Sequence, residues 1–134
     1  MKILIIIGTR PNFIKVTQFK KVAAAMKDVR VEIAHTGQHY DQKMSGVFFD
    51  QFNLQPDHIL SLRGDTPVEQ FGNMITDLGA LMGEVNPDAV IVPGDVNSTL
   101  AGALAANRRG IPLYHLESGL RSFDRSMPEE INRI

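Results

Sequence analysis

Strand-like and helix-like segments alternate from one end of the chain to the other. The first is "KILIII", residues 2–7, a mostly β-branched run that ends at Gly8. A continuous apolar run of this kind is typical of a strand buried on both faces of a parallel sheet. Pro11 can open a helix, because its missing N–H is one that the first turn leaves unpaired, and apolar residues then recur at helical spacing. We therefore predict a strand, a tight turn and a helix over residues 2–27.

The same order then repeats. Further strands are predicted at 29–35, 58–62, 87–92 and 111–117, and further helices at 41–52, 67–85 and 97–109. This alternation predicts an α/β fold with a doubly wound, Rossmann-like parallel sheet. The 134 residues suffice for one such domain, and the sequence contains no repeat, low-complexity tract or linker.

Composition excludes several classes of function. The formal net charge of −1 and the pI near 6.4 favour neither a nucleic acid nor an anionic membrane as partner. The chain has no cysteine, which excludes disulfides, thiolate metal sites and cysteine nucleophiles and suits a reducing compartment. The apolar run Ile3–Ile7 is too short for a signal peptide or a membrane span. We expect a cytoplasmic protein.

Ligands of doubly wound sheets bind beyond the carboxyl ends of the strands, so the residues that follow each predicted strand are the ones to weigh. They are "GTRPNFIK" (8–15), "TGQHYD" (36–41), "GDVNST" (94–99) and "ESGLR" (117–121). These segments contain most of the polar residues that could do chemistry. The sequence therefore predicts a site at this edge of the sheet.

The first of these segments suits a phosphate or pyrophosphate. It lacks the three-glycine dinucleotide fingerprint and the Gly-Lys-Ser/Thr of a P-loop, so NAD and ATP are unsupported. Arg10 lies at the turn, and Lys15 lies one helical turn past Pro11 with its side chain leaning back toward the helix N-terminus. The alternative is a pair of surface cations on an amphipathic helix, and spacing leaves both interpretations open.

The next two segments favour polar contacts over a metal. His35 and His39 have a spacing that suits a metal on a helix, whereas here it spans a strand end and a turn, so contacts to a substrate are expected instead. In "GDVNST", capping of the following helix explains one polar residue of the four present. Those four are Asp95, Asn97, Ser98 and Thr99.

Carboxylates accumulate near residue 130. Glu117 follows a predicted strand, and we expect Gly119 to let the chain turn toward the site. We expect Ser126 to cap a helix that starts at Pro128, and Asp124, Arg125 and Glu130 to form exposed local ion pairs. Glu117 and Glu129 could instead be catalytic if they face Asp95 across a cleft. Neighbouring carboxylates can shift one another's pKa values, so that one acts as an acid and another as a base.

Four motifs resemble the non-hydrolysing UDP-N-acetylglucosamine 2-epimerases. They are "GTRPNFIK" (8–15), "TGQHYD" (36–41), "GDVNSTLAGALAA" (94–106) and "HLESGLRSFDRSMPEEINR" (115–133), and they span the whole chain in the family's order. The resemblance implies a GT-B-type protein of two Rossmann-like domains, in which residues 1–134 are a truncated N-terminal domain without the C-terminal nucleotide-binding domain. It also implies a homodimer that supplies precursors of cell-surface polysaccharides.

The chemistry implied by the resemblance is interconversion of UDP-GlcNAc and UDP-ManNAc by elimination and re-addition of UDP, without cofactor or metal. We expect little or no activity from residues 1–134 alone. Carried over by motif, the catalytic acids are Asp95, Glu117 and Glu129. Substrate contacts are expected at Arg10 and Lys15, which fall on the diphosphate contacts of the family, at Arg121, and at Gln38 and His39, where some members bind a second, regulatory UDP-GlcNAc.

Departures from the family pattern leave the substrate open. Asn12, Val96 and Ser118 stand where many members have Glu, Thr and Ala, and Asn12 is expected to alter how Arg10 is held. A shorter "RSFDRSMPEE" segment suggests a subgroup that acts on another UDP-2-acetamido sugar. Alternative functions are a hydrolysing epimerase that releases ManNAc and UDP, a non-catalytic nucleotide-sugar binding module, and half of a GT-B glycosyltransferase.

Overall fold

The computed structural model describes residues 1–38 and 55–134. Within them, five parallel strands form one sheet in the order β3-β2-β1-β4-β5. The strands are β1 (Lys2–Ile7), β2 (Arg30–His35), β3 (His58–Ile59), β4 (Ala89–Pro93) and β5 (Leu113–Leu116). The predicted parallel, doubly wound sheet is confirmed, although β3 is shorter than the expected 58–62.

Helices of the described residues cover both faces of the sheet. They are α1 (Arg10–Val16), α2 (Phe19–Ala24), α3 (Pro67–Val85), α4 (Asn97–Arg108) and α5 (Pro128–Arg133). The helix predicted over 41–52 lies outside the described residues. Among the described helices, none is both long and apolar enough to cross a membrane.

The central strand β1 divides the core into two layers, because successive side chains of a strand point to opposite faces. Leu4 and Ile6 belong to the cluster that includes residues of α3 and α4. Ile5 and Ile7 belong to a second cluster that includes Phe13 of α1. All five of these side chains are at most 1% exposed, which explains the continuous apolar run in the sequence.

The bounds of α3 agree with the sequence prediction because both of its ends carry strong local signals. Thr66 accepts from the Glu69 N–H at 3.2 Å, while the Glu69 carboxylate accepts from the Thr66 N–H at 3.1 Å and the Asp65 N–H at 2.9 Å. These backbone donors lower the pKa of Glu69. At the other end Asn86 adopts a left-handed conformation with φ of 48°.

Two of the predicted helix boundaries are wrong. The helix expected up to residue 27 is divided into α1 and α2, where the Thr17 hydroxyl donates to the Ile14 carbonyl at 3.1 Å and so competes with the helical ladder. Ser126 is not the N-cap of α5, because its N–H and O–H both donate to Asp124 Oδ1, at 3.0 and 2.7 Å. The N-cap is Met127, without a side-chain hydrogen bond.

Candidate functional site

The loops after β4 and β5 begin side by side at one edge of the sheet. Pro93 of β4 is paired with Leu116 of β5, and the Gly94 N–H donates to the Leu116 carbonyl at 3.0 Å. The loop after β4 continues with Asp95, and the loop after β5 begins with Glu117. The parallel sheet therefore places the starts of two carboxylate-bearing loops next to each other, although the sequence separates Asp95 and Glu117 by more than twenty positions.

Glu117 carries an ion pair and an unusual backbone. Its φ is 66°, in the left-handed region of the backbone that residues other than glycine and asparagine rarely adopt. The chain turns over residues 117–119, as expected for Gly119, and the left-handed residue of this turn is Glu117. Its carboxylate is 37% exposed and accepts a hydrogen bond from Lys15 Nζ. Such strain is typical of functional positions.

Asp95 is held from the other side by α5. Arg133 forms an ion pair with its carboxylate, and the Arg133 side chain is 9% exposed. Asn132 donates to the Asp95 carbonyl at 3.0 Å and to the Asn97 side chain at 3.1 Å. These contacts dock α5 onto the loop after β4.

Glu129, the third predicted carboxylate, lies on α5. It lies in the first turn of that helix and is exposed. Residues four apart share one face of a helix, so Glu129 is on the face from which Arg133 reaches Asp95. The three carboxylates of the sequence prediction thus follow β4, follow β5 and lie on the helix that packs against the loop of β4.

The polar residues of "GDVNST" make tertiary contacts and do not cap α4. The N-cap of α4 is Val96, without a side-chain hydrogen bond. Thr99 donates to the Pro93 carbonyl at 2.8 Å. The N–H and the hydroxyl of Ser98 both donate to Gln38 Oε1 at 3.3 Å, which places Gln38 at the start of α4.

The Asn12 side chain is buried and contacts the residue that ends β4. It is 2% exposed, accepts from the Thr9 hydroxyl at 3.1 Å and donates to the Pro93 carbonyl at 3.1 Å. With Thr99 it fixes the carbonyl that precedes Gly94 and Asp95. The pairing of Arg133 with Asp95 was not predicted, because the spacing of four from Glu129 to Arg133 favours a pair within α5 instead.

The remaining residues predicted to contact substrate are Arg10, Arg121 and His39. Arg10 is exposed in the first turn of α1. The Arg121 guanidinium binds Glu130, and this contact raises the pKa of Arg121. His39 lies outside the described residues.

His35, the other histidine considered as a metal ligand, is buried at the end of β2. Its Nδ1 accepts from the Gly37 N–H at 3.0 Å, and burial lowers its pKa from 6.5 to about 4. In the part of the chain that the structure describes, no three histidine, aspartate or glutamate side chains are grouped so that they could hold a metal ion. His35 is therefore a neutral core residue at neutral pH.

The edge of the sheet combines carboxylates with cations. Lys15 lies beside Glu117 and also close to Gly94, where a Cβ would stand 3.4 Å from Lys15 Nζ. Carboxylates at such a place can exchange protons with a bound molecule, and the neighbouring cations can bind an anionic group of that molecule. Lys15 thus accompanies Glu117, and Arg133 accompanies Asp95.

A family model and the sequences of known proteins both match this chain to one family. Residues 21–134 match the family model described as UDP-N-acetylglucosamine 2-epimerase. Over 135 residues the chain is 47% identical to UDP-2,3-diacetamido-2,3-dideoxy-D-glucuronate 2-epimerase of Pseudomonas aeruginosa, with 100% of this chain and 38% of the relative covered.

Solved structures show the same likeness. The structure of Methanocaldococcus jannaschii UDP-GlcNAc 2-epimerase in complex with UDP-GlcNAc and UDP matches with a TM-score of 0.89 and 44% identity, over 99% of this chain and 37% of that chain. The GT-B protein MurG of Acinetobacter baumannii matches with a TM-score of 0.62 and 17% identity over 85% of this chain and 34% of its own, a likeness of fold alone. The chain spans less than two fifths of the length of these relatives.

Proposed function

The chain belongs to the UDP-N-acetylglucosamine 2-epimerase family, and we propose that it is the N-terminal, Rossmann-like part of an enzyme that interconverts UDP-GlcNAc and UDP-ManNAc. The observation that carries this proposal is that Asp95 and Glu117 follow the paired carboxyl ends of β4 and β5, with Lys15 ion-paired to Glu117. Inversion at a sugar carbon needs proton transfer on both faces of the ring, and paired carboxylates can supply it.

The reaction proceeds by elimination and re-addition of UDP. The hydrogen at C2 is not acidified by an adjacent carbonyl, so one carboxylate removes it while the C1–O bond to the diphosphate breaks. The resulting glycal then accepts a proton on the opposite face of C2 from a second acid, and the diphosphate oxygen returns to C1. Asp95, Glu117 and Glu129 are the proposed acids and bases, and Arg10 and Lys15 stabilise the negative charge of the departing UDP.

The comparisons also support a second candidate substrate. The Pseudomonas aeruginosa relative, 47% identical, is named for UDP-2,3-diacetamido-2,3-dideoxy-D-glucuronate, whereas the Methanocaldococcus jannaschii relative, 44% identical, is named for UDP-GlcNAc. Both sugars carry an acetamido group at the carbon that is inverted. The two compounds therefore share the chemistry proposed for these carboxylates and differ in contacts around C3 and C6.

We further propose that a second, nucleotide-binding domain completes the enzyme. The support is the length of the relatives, of which this chain covers 37–38%. Residues 1–134 alone are then expected to show little or no epimerisation, because much of the nucleotide site is missing. The proposal includes a cytoplasmic homodimer that supplies polysaccharide precursors.

Proton NMR in D2O tests this function. The full-length protein is incubated separately with UDP-GlcNAc and with UDP-2,3-diacetamido-2,3-dideoxy-D-glucuronate, and the C2 signal is followed. Deuterium at C2 together with the C2 epimer supports the proposal and identifies the substrate. Release of free ManNAc and UDP identifies a hydrolysing epimerase. Binding of UDP without exchange at C2 in either sugar overturns the catalytic assignment.

A further inference from the structure

Glu130 is the most completely buried carboxylate of the described residues. It is 0% exposed, although its neighbours Glu129 and Ile131 are both exposed. The expectation of an exposed local ion pair at Glu130 is therefore wrong. A buried carboxylate is costly unless its oxygens receive hydrogen bonds, so its partners have to explain its place.

Those partners all come from one short stretch. Glu130 Oε1 accepts from Arg121 Nε at 2.8 Å and from Arg121 Nη2. Oε2 accepts from the Ser122 N–H at 3.0 Å and from the Ser122 hydroxyl at 3.2 Å. The Arg121 hydrogen bonds lower the pKa of Glu130 to about 2 against the opposing effect of burial, so the carboxylate stays ionised at neutral pH.

This cluster, which we name the Glu130 clamp, consists of Arg121, Ser122 and Glu130. It joins two parts of the chain that each carry a proposed catalytic acid. Arg121 lies four residues after Glu117, and Glu130 directly follows Glu129. Between the two ends of the clamp, residues 123–129 are all exposed. Burial of these intervening residues therefore does little to fix the distance between Glu117 and Glu129. The clamp, which lies between the two carboxylates along the chain, can fix that distance.

We propose that Glu130 is a positioning residue of the epimerase site: through Arg121 and Ser122 it sets the position of Glu129 relative to Glu117. The inference rests on the proposed function. It also assigns the Arg121 guanidinium to Glu130 in place of the substrate contact expected from sequence. Proton transfer depends steeply on geometry, and a displacement of about 1 Å can lower a rate about 100-fold.

The test uses the full-length protein with Glu130→Gln, Arg121→Ala and the corresponding double variant. Glu130→Gln keeps the volume of the side chain but offers an amide N–H where Ser122 donates. We expect kcat to fall about 10- to 100-fold in each single variant, the affinity for UDP to be retained, and the double variant to be no slower than the slower single one. Circular dichroism and the unfolding midpoint show whether each variant is folded.

Glu84→Gln is the matched control, because Glu84 is an exposed carboxylate on α3. It lies far from the site: the carbonyl of the next residue, Val85, accepts from Lys2 at the opposite edge of the sheet. Unchanged kcat in folded Glu130→Gln would overturn the proposal. So would a loss of UDP affinity in Arg121→Ala alone, since Arg121 would then bind the nucleotide. A wild-type protein without epimerase activity would overturn the proposed function as well, whereas an active wild type with unaffected variants would overturn this inference alone.

Discussion

Gly8 at the end of β1 lies directly against Ser98 in the first turn of α4, where a Cβ on Gly8 would overlap the Ser98 side chain and stand 2.8 Å from Thr36 Oγ1. The start of α4 can approach the sheet this closely because Gly8 has no side chain. The loop that carries Asp95 directly precedes this first turn of α4.

Gly8→Ala should therefore destabilise the chain by about 1–3 kcal/mol, because the new methyl group has to displace Ser98 or the strand. Gly72→Ala is the matched control, since a Cβ there meets no described atom within 4 Å and Gly72 is inside α3. It should stabilise the chain by about 0.5–1 kcal/mol. Urea unfolding measures both, and equal effects of the two substitutions would contradict the argument.

Thr66→Ala should lower stability by about 1 kcal/mol, because it removes the side-chain cap of the Glu69 N–H at the start of α3. Thr76→Ala is the comparison inside the same helix. The Thr76 hydroxyl donates to the Gly72 carbonyl at 3.1 Å, a contact that does not help the helix, so alanine should be neutral or slightly stabilising there. A Thr66→Ala protein as stable as wild type would show that the cap is unimportant.

His35 should make the chain less stable in mild acid. Its pKa is lowered from 6.5 to about 4, so the unfolded chain takes up a proton before the folded chain does. The free energy of unfolding is unaffected by this group above pH 6.5 and falls as the pH drops from about 6.5 to about 4, by about 3 kcal/mol in all. Urea unfolding across this pH range should show a smaller decline for His35→Asn. Parallel declines in the two proteins would contradict the prediction.

Asp95→Asn should abolish epimerisation by the full-length protein while UDP binding is retained. The amide keeps the size of the side chain but cannot take or return a proton, so kcat should fall by at least about 100-fold. Deuterium incorporation at C2 and calorimetric titration with UDP measure the two properties. Glu84→Gln again serves as the control. Turnover at the wild-type rate would remove Asp95 from the catalytic set.

Local patterns were sufficient for much of the fold. The predicted bounds of α3 agree with the structure because a capping box starts it and a left-handed Asn86 ends it. The buried strand β1 was predictable because its apolar run is continuous. The positions of Asp95 and Glu117 were predictable as well, since residues that follow parallel strands emerge at one edge of the sheet.

Partners of charged side chains were beyond the reach of the sequence. Glu130 looks like a surface residue in its local context, and it is buried because Arg121 and Ser122 fold back onto it. Likewise Arg133 reaches Asp95 and Lys15 reaches Glu117 across separations of 38 and 102 residues.

The sequence by itself determined the order of strands and helices and the edge at which carboxylates collect, because the periodicity of apolar residues and the strand ends are local properties. Only the tertiary structure decided which carboxylate is buried, which cation accompanies each one, and that Glu117 bears the left-handed backbone. Those outcomes depend on burial and on hydrogen bonds between distant residues, whose energies exist only once the chain has folded.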